Sequence, residues 1–169
     1  AGTLGCSIGR LLVGWGFRKI KIVDSGKVSY SNPTRQSLFV TANAARSDFK
    51  ALAAAQALNE ILPGMSVTGK VYSIPMPGHT TAAEIDEARR DAELLLEDIK
   101  ECDVVFMLTD SRESRWLPTL FATAEDKPMI NVALGMDGFL VLRHGASPSM
   151  PRSPPHGLSA IPKSLRLGC

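Results

Sequence analysis

The sequence predicts an α/β fold with a doubly wound, mainly parallel sheet. Apolar strands alternate with helical stretches along the chain, which is the pattern of parallel sheets covered by helices. Residues 103–108 form a continuous apolar run after the initial Asp, and this is typical of a strand buried on both faces. A glycine-rich turn opens the chain just before the first helical stretch.

The first half of the chain is expected to hold two helices and two strands. A helix is expected over residues 3–14 and a short apolar strand over 20–23, followed by a polar, turn-rich loop. A second helix is expected over 48–62, where a Pro-Gly pair ends it. Residues 67–74 have the composition of the second strand.

The second half continues the alternation. Thr80 or Thr81 is expected to cap a long helix that runs to about residue 101 and whose charged surface is solvated. The list of elements is completed by the apolar strand 103–108, a helix over about 113–125, and strands over 129–133 and 139–142.

The chain divides near residue 145, where its periodicity ends. Five prolines fall between positions 148 and 162 and exclude regular secondary structure there. We therefore expect one domain over 1–145, and a proline- and serine-rich loop or flexible tail over 146–169.

Composition excludes several classes of protein. The formal net charge is +2 with both signs interspersed, so no basic stripe suggests a nucleic-acid partner. No apolar run approaches the roughly 18 residues of a membrane-spanning helix. The three widely spaced cysteines favour a reducing, cytoplasmic setting over a disulfide framework.

The opening turn indicates nucleotide binding. Gly2 and Gly5 match the last two glycines of G-x-G-x-x-G, and Asp24 follows about 20 residues later, where a ribose-binding acid is expected. An ordinary glycine-rich loop without a ligand is the alternative. Because the first glycine, the strand before it and an initiator Met are all absent, we expect a fragment that begins inside the motif.

Further polar residues follow the predicted strands. Asp110 comes directly after the apolar strand and is a candidate Mg²⁺ ligand, with a helix cap as the alternative. Arg35 and Lys50 can bind phosphate, although surface solvation is the ordinary alternative for each. Asn32 and Gln36 lie in the same loop as Arg35. The sequence has no P-loop motif.

Several motifs together resemble a known family. S-N-P-T-R-Q at 31–36, a helix opened by Lys50, and T-D-S-R-E-S-R-W-L-P at 109–118 are similar to the adenylation domain of ubiquitin-like-modifier-activating enzymes. V-D-S-G-K-V-S-Y, F-K-A-L-A-A-A, S-I-P-M-P-G-H and R-H-G sharpen the resemblance to the member that acts in autophagy. The resemblance covers nearly all of 1–145 and resumes at 161–169.

The resemblance implies a Rossmann-like adenylation domain whose first strand is missing. Such enzymes use ATP and Mg²⁺ to adenylate the C-terminus of a modifier, and then pass the acyl group to a downstream cysteine that this chain lacks. The implied partners are ubiquitin-like autophagy modifiers, their conjugating enzymes and a second copy of the enzyme. As a fragment, the chain is expected to be inactive.

The resemblance also assigns roles to individual residues. The resemblance assigns catalytic roles to Arg35, Lys50 and Asp110, with Asp110 as the Mg²⁺ ligand. Cys169 resembles one ligand of a structural Zn²⁺ site whose other ligands are missing. The nucleotide-binding set is Gly2 and Gly5 in the turn, Asp24 on the ribose, Asn32, Arg35 and Lys50 on the phosphates, Gln36 beside them, and Arg115 as support next to Asp110.

Two other classes of function remain open. An NAD-dependent oxidoreductase shares the glycine turn and the ribose acid, but leaves the Arg35–Gln36 loop and Asp110 unexplained. A non-catalytic scaffold subunit could keep the fold and lose the site, yet Asp24, Arg35, Lys50 and Asp110 are all present.

Overall fold

The computed structural model describes residues 1–144, so the predicted tail over 146–169 and the zinc ligand Cys169 lie outside the described residues. Helices and strands alternate over most of this range. In chain order the helices are α1 (Thr3–Gly14), α2 (Thr41–Ala45), α3 (Lys50–Ile61), α4 (Ile85–Glu101) and α5 (Glu113–Ala124), and the strands are β1 (Lys19–Val23), β2 (Ser66–Lys70), β3 (Val105–Met107), β4 (Met129–Leu134) and β5 (Phe139–His144).

The strands of the described residues form two sheets. β1 and β2 pair in parallel, with Lys19 opposite Ser66. In the second sheet β4 lies between β3, to which it is parallel, and β5, to which it is antiparallel. The α/β class and the mainly parallel pairing are therefore confirmed, and the antiparallel pair comes from the short β4–β5 hairpin.

Each sheet carries its own apolar core. Leu58 of α3 and Cys6 of α1 are fully buried in the core beside β1 and β2. Met107 and Met129 lie in the core beside the second sheet, where α4 and α5 cover it. Val23, at the end of β1, packs against this second core and so joins the two units.

The predicted strand over 67–74 ends early, at Lys70, because side chains of α4 bind the following residues. Tyr72 donates its hydroxyl to Asp98 at 2.9 Å, and the Ser73 N–H donates to Asp91 at 3.1 Å. Asp91 therefore accepts the backbone N–H that a neighbouring strand would otherwise bind, and Asp98 holds the Tyr72 side chain. The expectation that the charged surface of α4 is solvated is wrong at both positions, since Asp91 and Asp98 are buried.

Two local details differ from or refine the sequence analysis. The short helix α2 had no predicted counterpart; Asn43 stabilises its start by accepting the Val40 N–H at 2.8 Å. Thr81 rather than Thr80 is the cap, and it lies before the 3₁₀ turn Ala82–Glu84 that leads directly into α4. Glu84 accepts hydrogen bonds from the Thr81 N–H and hydroxyl at 3.0 and 2.7 Å. Among residues 1–144, no helix is both long and apolar enough to span a membrane.

Candidate functional site

The glycine turn at the start of α1 lies against the acid at the end of β1. The Ala1 nitrogen is 2.5 Å from Asp24 Oδ2, while Asp24 Oδ1 accepts the Gly26 N–H at 2.7 Å. Gly2 precedes the first residue of α1 in extended conformation. The turn and Asp24, which are separated by more than 20 residues in sequence, are therefore neighbours in space.

Lys50 joins this group through Gly26. The Lys50 N–H donates to the Gly26 carbonyl at 2.9 Å. A Cβ built on Gly26 would lie 3.0 Å from Asp24 Oδ1 and 3.6 Å from Lys50 Cδ. The absence of a side chain at Gly26 lets the Lys50 stem pass beside the Asp24 carboxylate.

Arg35 approaches the same turn from the loop that follows β1. Its Nη1 donates to the Thr3 hydroxyl at 2.9 Å, and Thr3 is the first residue of α1. A helix N-terminus attracts anions through its free N–H groups and its dipole. Arg35 and Lys50 add two positive charges near this end of α1, so the group is suited to a phosphate chain.

Asn32 and Gln36 lie inside the loop, whereas Arg35 is exposed. Asn32 Oδ1 accepts the Ser29 N–H at 3.0 Å, and the Asn32 carbonyl accepts the Arg35 and Gln36 N–H groups. Asn32 therefore shapes the turn that presents Arg35. Gln36 is 2% exposed, and its Oε1 has no hydrogen-bond partner among the described residues.

A second group follows β3. Asp110 is exposed, and within residues 1–144 its carboxylate has no hydrogen bond or ion pair. Arg115 fixes Thr109, the residue before Asp110, because the Arg115 Nε and Nη2 donate to the Thr109 carbonyl at 3.2 and 2.7 Å. The Ser111 and Ser114 hydroxyls lie 2.9 Å apart and stabilise the start of α5. The Asp110 carboxylate therefore has no partner within residues 1–144, and it lies on a loop that hydrogen bonds from Arg115 and between Ser111 and Ser114 stabilise.

The predicted site residues accordingly form two groups in the described part of the chain. One contains the glycine turn, Asp24, Arg35 and Lys50; the other contains Asp110 and Arg115. No hydrogen bond or ion pair between described residues joins Asp110 to the first group. No cluster of three or more His, Cys, Asp or Glu side chains within 1–144 could hold a metal ion. A single carboxylate still fits Mg²⁺ when phosphate oxygens supply further ligands.

Sequence reasoning missed Thr3 and Gly26. Thr3 has an ordinary sequence context, and only the fold brings it to Arg35. Gly26 could have been found from the sequence, because it follows a strand-ending acid by two residues. Its contact with Lys50 is evident only from the structure.

The chain matches a known protein family. The sequence profile described as the ThiF family matches residues 1–157. The chain belongs to the ThiF family. The matched segment contains both groups of the candidate site.

Curated relatives agree with this assignment. The chain is 52% identical over 147 residues to ubiquitin-like modifier-activating enzyme atg7 of Dictyostelium discoideum, covering 86% of this chain and 21% of the relative. It is 50% identical over 149 residues to the human enzyme ATG7, again covering 86% of this chain and 21% of the relative. The chain therefore spans about a fifth of the length of these curated relatives.

The fold is also found in a solved bacterial protein. Escherichia coli MccB, crystallised with MccA, superimposes with a TM-score of 0.61 at 17% identity, over 83% of this chain and 38% of MccB. The crystal structure of MccB with ATP gives a TM-score of 0.56 at 18% identity, over 78% of this chain and 34% of MccB. At this identity the likeness concerns the fold.

Proposed function

We propose that this ThiF-family chain is the ATP-binding part of an enzyme that activates ubiquitin-like modifiers by adenylating their C-terminus. The observation that carries the proposal is the convergence of Asp24, Arg35 and Lys50 at the N-terminus of α1. The names of the two eukaryotic relatives support the modifier as substrate. The crystallisation of MccB, which shares this fold, with ATP supports the nucleotide.

The nucleotide binds along the first group of residues. The turn at Gly2 and Gly5 lets the phosphate chain approach the free N–H groups of α1. Asp24 accepts hydrogen bonds from the ribose hydroxyls. Arg35 and Lys50 neutralise the phosphates, the first as a planar fork and the second as a point charge. Asn32 and Gln36 form the inner wall of the loop that holds Arg35, and Asn32 adds a phosphate contact.

Asp110 would hold Mg²⁺, and the ion would lower the charge of the phosphates. The free carboxylate of Asp110 fits this role, and Arg115 positions it by fixing the Thr109 carbonyl. A carboxylate oxygen of the modifier attacks the α-phosphorus, a P–O bond forms, and the bond to the leaving pyrophosphate breaks. No general base is needed because the attacking carboxylate is already ionised. Positioning and charge neutralisation supply the catalysis.

The partners, the assembly and the location that we propose follow from the resemblance of the sequence motifs. We assign autophagy modifiers and their conjugating enzymes as partners, a homodimer as the assembly, and the cytoplasm as the location. Cys169 is assigned as one ligand of a structural Zn²⁺ site. The NAD-dependent oxidoreductase and the scaffold subunit are disfavoured, because neither uses Arg35, Lys50 and Asp110 together.

Nucleotide binding is tested first on the 169-residue chain. ATP with Mg²⁺ is expected to raise the melting temperature, whereas NAD is not. Arg35→Ala and Lys50→Ala should each weaken ATP binding by about tenfold or more, since each removes a charge-assisted contact. Arg10→Ala is the matched control, because Arg10 is exposed on α1 away from these contacts. Stabilisation by NAD with no response to ATP would contradict the proposal.

Adenylation is tested in a chimera in which residues 1–144 replace the matching segment of the Dictyostelium relative. The chimera is expected to catalyse modifier-dependent exchange of pyrophosphate into ATP. Asp110→Ala should lower the exchange rate by at least about a hundredfold, consistent with the loss of a metal ligand. Asp137→Ala, at an exposed position in the β4–β5 turn, should leave the rate unchanged. Normal exchange by Asp110→Ala would exclude Asp110 as the Mg²⁺ ligand.

A further inference from the structure

The outer edge of β2 has no neighbouring strand in the described part of the chain. β1 and β2 form a two-stranded sheet, so only the inner edge of β2 is paired. On that inner edge the Ser66 N–H donates to the Arg18 carbonyl at 2.7 Å. Because the backbone groups of successive residues alternate between the two edges of a strand, those of Val67 and Gly69 face the outer edge.

The side chain of Asn59, on α3, occupies part of this outer edge. Its Oδ1 accepts the Val67 N–H at 2.9 Å, and its Nδ2 donates to the Val67 carbonyl at 2.9 Å. The amide therefore satisfies the same two backbone groups of Val67 that a neighbouring strand would bind. Asn59 is exposed whereas Val67 is only 6% exposed, which places the amide between the edge and the solvent.

The positions that follow on the outer edge are open. Within residues 1–144, no hydrogen bond outside the β1–β2 pairing involves the backbone of Gly69 or Val71. Val71 is 39% exposed, and Lys70 is the only charged residue of β2. A strand edge with free backbone groups and little charge is a template on which a further strand can pair. The Asn59 amide is therefore the main obstacle to such pairing at β2.

The outer edge is complementary to the same edge of a second copy. An antiparallel pair centred on Gly69 would place Val67 opposite Val71 and Thr68 opposite Lys70, so that no like charges face each other. Such a pair has the two-fold symmetry that is commonest in protein dimers. A second copy of the chain therefore fits the edge better than an unrelated strand of arbitrary charge and register.

We propose that Asn59 blocks the outer edge of β2 and so prevents two copies of the chain from pairing through it. With the amide in place, the N–H and carbonyl of Val67 are already bonded, and the side chain stands where the second strand would lie. Without it, the backbones of Val67, Gly69 and Val71 can all bond across the symmetric edge. The inference goes beyond the proposed adenylation, since it uses none of the residues assigned to the nucleotide.

The first test measures the mass of the full 169-residue chain by sedimentation equilibrium at rising concentration. Asn59→Ala should self-associate with a dissociation constant at least about tenfold lower than that of the parent chain, because it frees two backbone groups at the edge. Asn59→Leu, which nearly keeps the shape of Asn but has no polar side-chain atom, should associate in the same way. Gln56→Ala is the matched control, since Gln56 lies on the same helix and bonds to Glu60 instead of β2.

Amide hydrogen exchange identifies the surface that associates. In dilute Asn59→Ala the Val67 amide should exchange faster than in the parent chain, and at high concentration the Gly69 amide should become protected. Adding Val71→Lys to Asn59→Ala should restore the mass of the parent chain, because a charged side chain opposes the pairing of edges.

Two results would overturn the proposal. One is that Asn59→Ala and Asn59→Leu both have the mass of the parent chain at every concentration. The other is association without protection of the Gly69 amide, because the contact would then lie on a different surface.

Discussion

Gly69 of β2 passes so close to Ala51 of α3 that a side chain has no room between them. A Cβ at Gly69 would lie 2.3 Å from the Ala51 carbonyl oxygen and 2.5 Å from its carbonyl carbon. Both atoms belong to the backbone and cannot rotate away. Ala51 follows Lys50 directly, so this contact also sets the position of Lys50 at the start of α3.

Replacing Gly69 by Ala should therefore destabilise the fold. The added methyl forces β2 and α3 apart, and overpacking of this kind typically costs about 1–3 kcal/mol. Urea unfolding measures the loss. Gly14→Ala is the control, because nothing lies within 4 Å of a Cβ at that helical position. Equal unfolding midpoints for Gly69→Ala and the parent chain would show that the approach is looser than the structure indicates.

Asp98 of α4 binds three donors, which lie on β1, on β2 and just after β2. Lys21 and Lys70 donate to its Oδ1 at 2.9 and 2.6 Å, and the Tyr72 hydroxyl donates to Oδ2 at 2.9 Å. Asp98→Asn should cost about 2 kcal/mol, less than the ~3–5 of a fully buried pair, because both lysines are partly exposed. Glu97→Gln, at an exposed position on the same helix, is the control in chemical unfolding.

The same carboxylate predicts a pH dependence. Burial acts to raise the pKa of Asp98, but hydrogen bonds from Lys70, Lys21 and Tyr72 outweigh it and lower that pKa below its ordinary value of 3.8. A lowered pKa in the folded state stabilises the fold above about pH 4, and this contribution disappears as the pH falls through the folded value. The difference in stability between the parent and Asp98→Asn should shrink from pH 6 to pH 2. A constant difference over that range would contradict the assignment.

Apart from the short helix α2, the order of helices and strands was predictable from local sequence, because apolar periodicity reports which faces are buried. The end of β2 was not predictable in this way. Residues 71–74 are as apolar as a strand, but Asp91 and Asp98 bind them from a helix that lies later in the chain. Helix periodicity treats such carboxylates as solvated, and only tertiary contacts reveal them as buried partners.

The residues of the candidate site were likewise only partly predictable from the sequence. Asp24 and Asp110 were recognisable because each follows a strand, where ligands of parallel sheets bind. The contact between Arg35 and Thr3 could not be recognised from the sequence, because it depends on how the loop that Asn32 stabilises returns to α1. Sequence therefore identified the charged side chains, and the structure supplied the residues that orient them.

Arg115 is expected to act by positioning Asp110. Arg115→Ala removes two hydrogen bonds to the Thr109 carbonyl and should cost about 1 kcal/mol of stability. In the chimera it should also raise the Mg²⁺ concentration needed for half-maximal pyrophosphate exchange, because the loop that carries Asp110 becomes less ordered. Arg89→Ala, exposed on α4, controls for loss of charge. An unchanged Mg²⁺ requirement would leave Arg115 with a structural role alone.

Cys6 should be an unreactive thiol despite its place next to the glycine turn. It is fully buried, and burial is the main reason that the pKa of its thiol is raised above the ordinary value of 9.0. Since the thiolate is the reactive form, alkylation at pH 7.5 should be at least about tenfold slower in the folded chain than in urea. Iodoacetamide labelling of a chain carrying Cys102→Ser and Cys169→Ser isolates this residue. Equal rates in the folded and unfolded chains would mean that Cys6 is accessible in the folded chain, contrary to its burial in the structure.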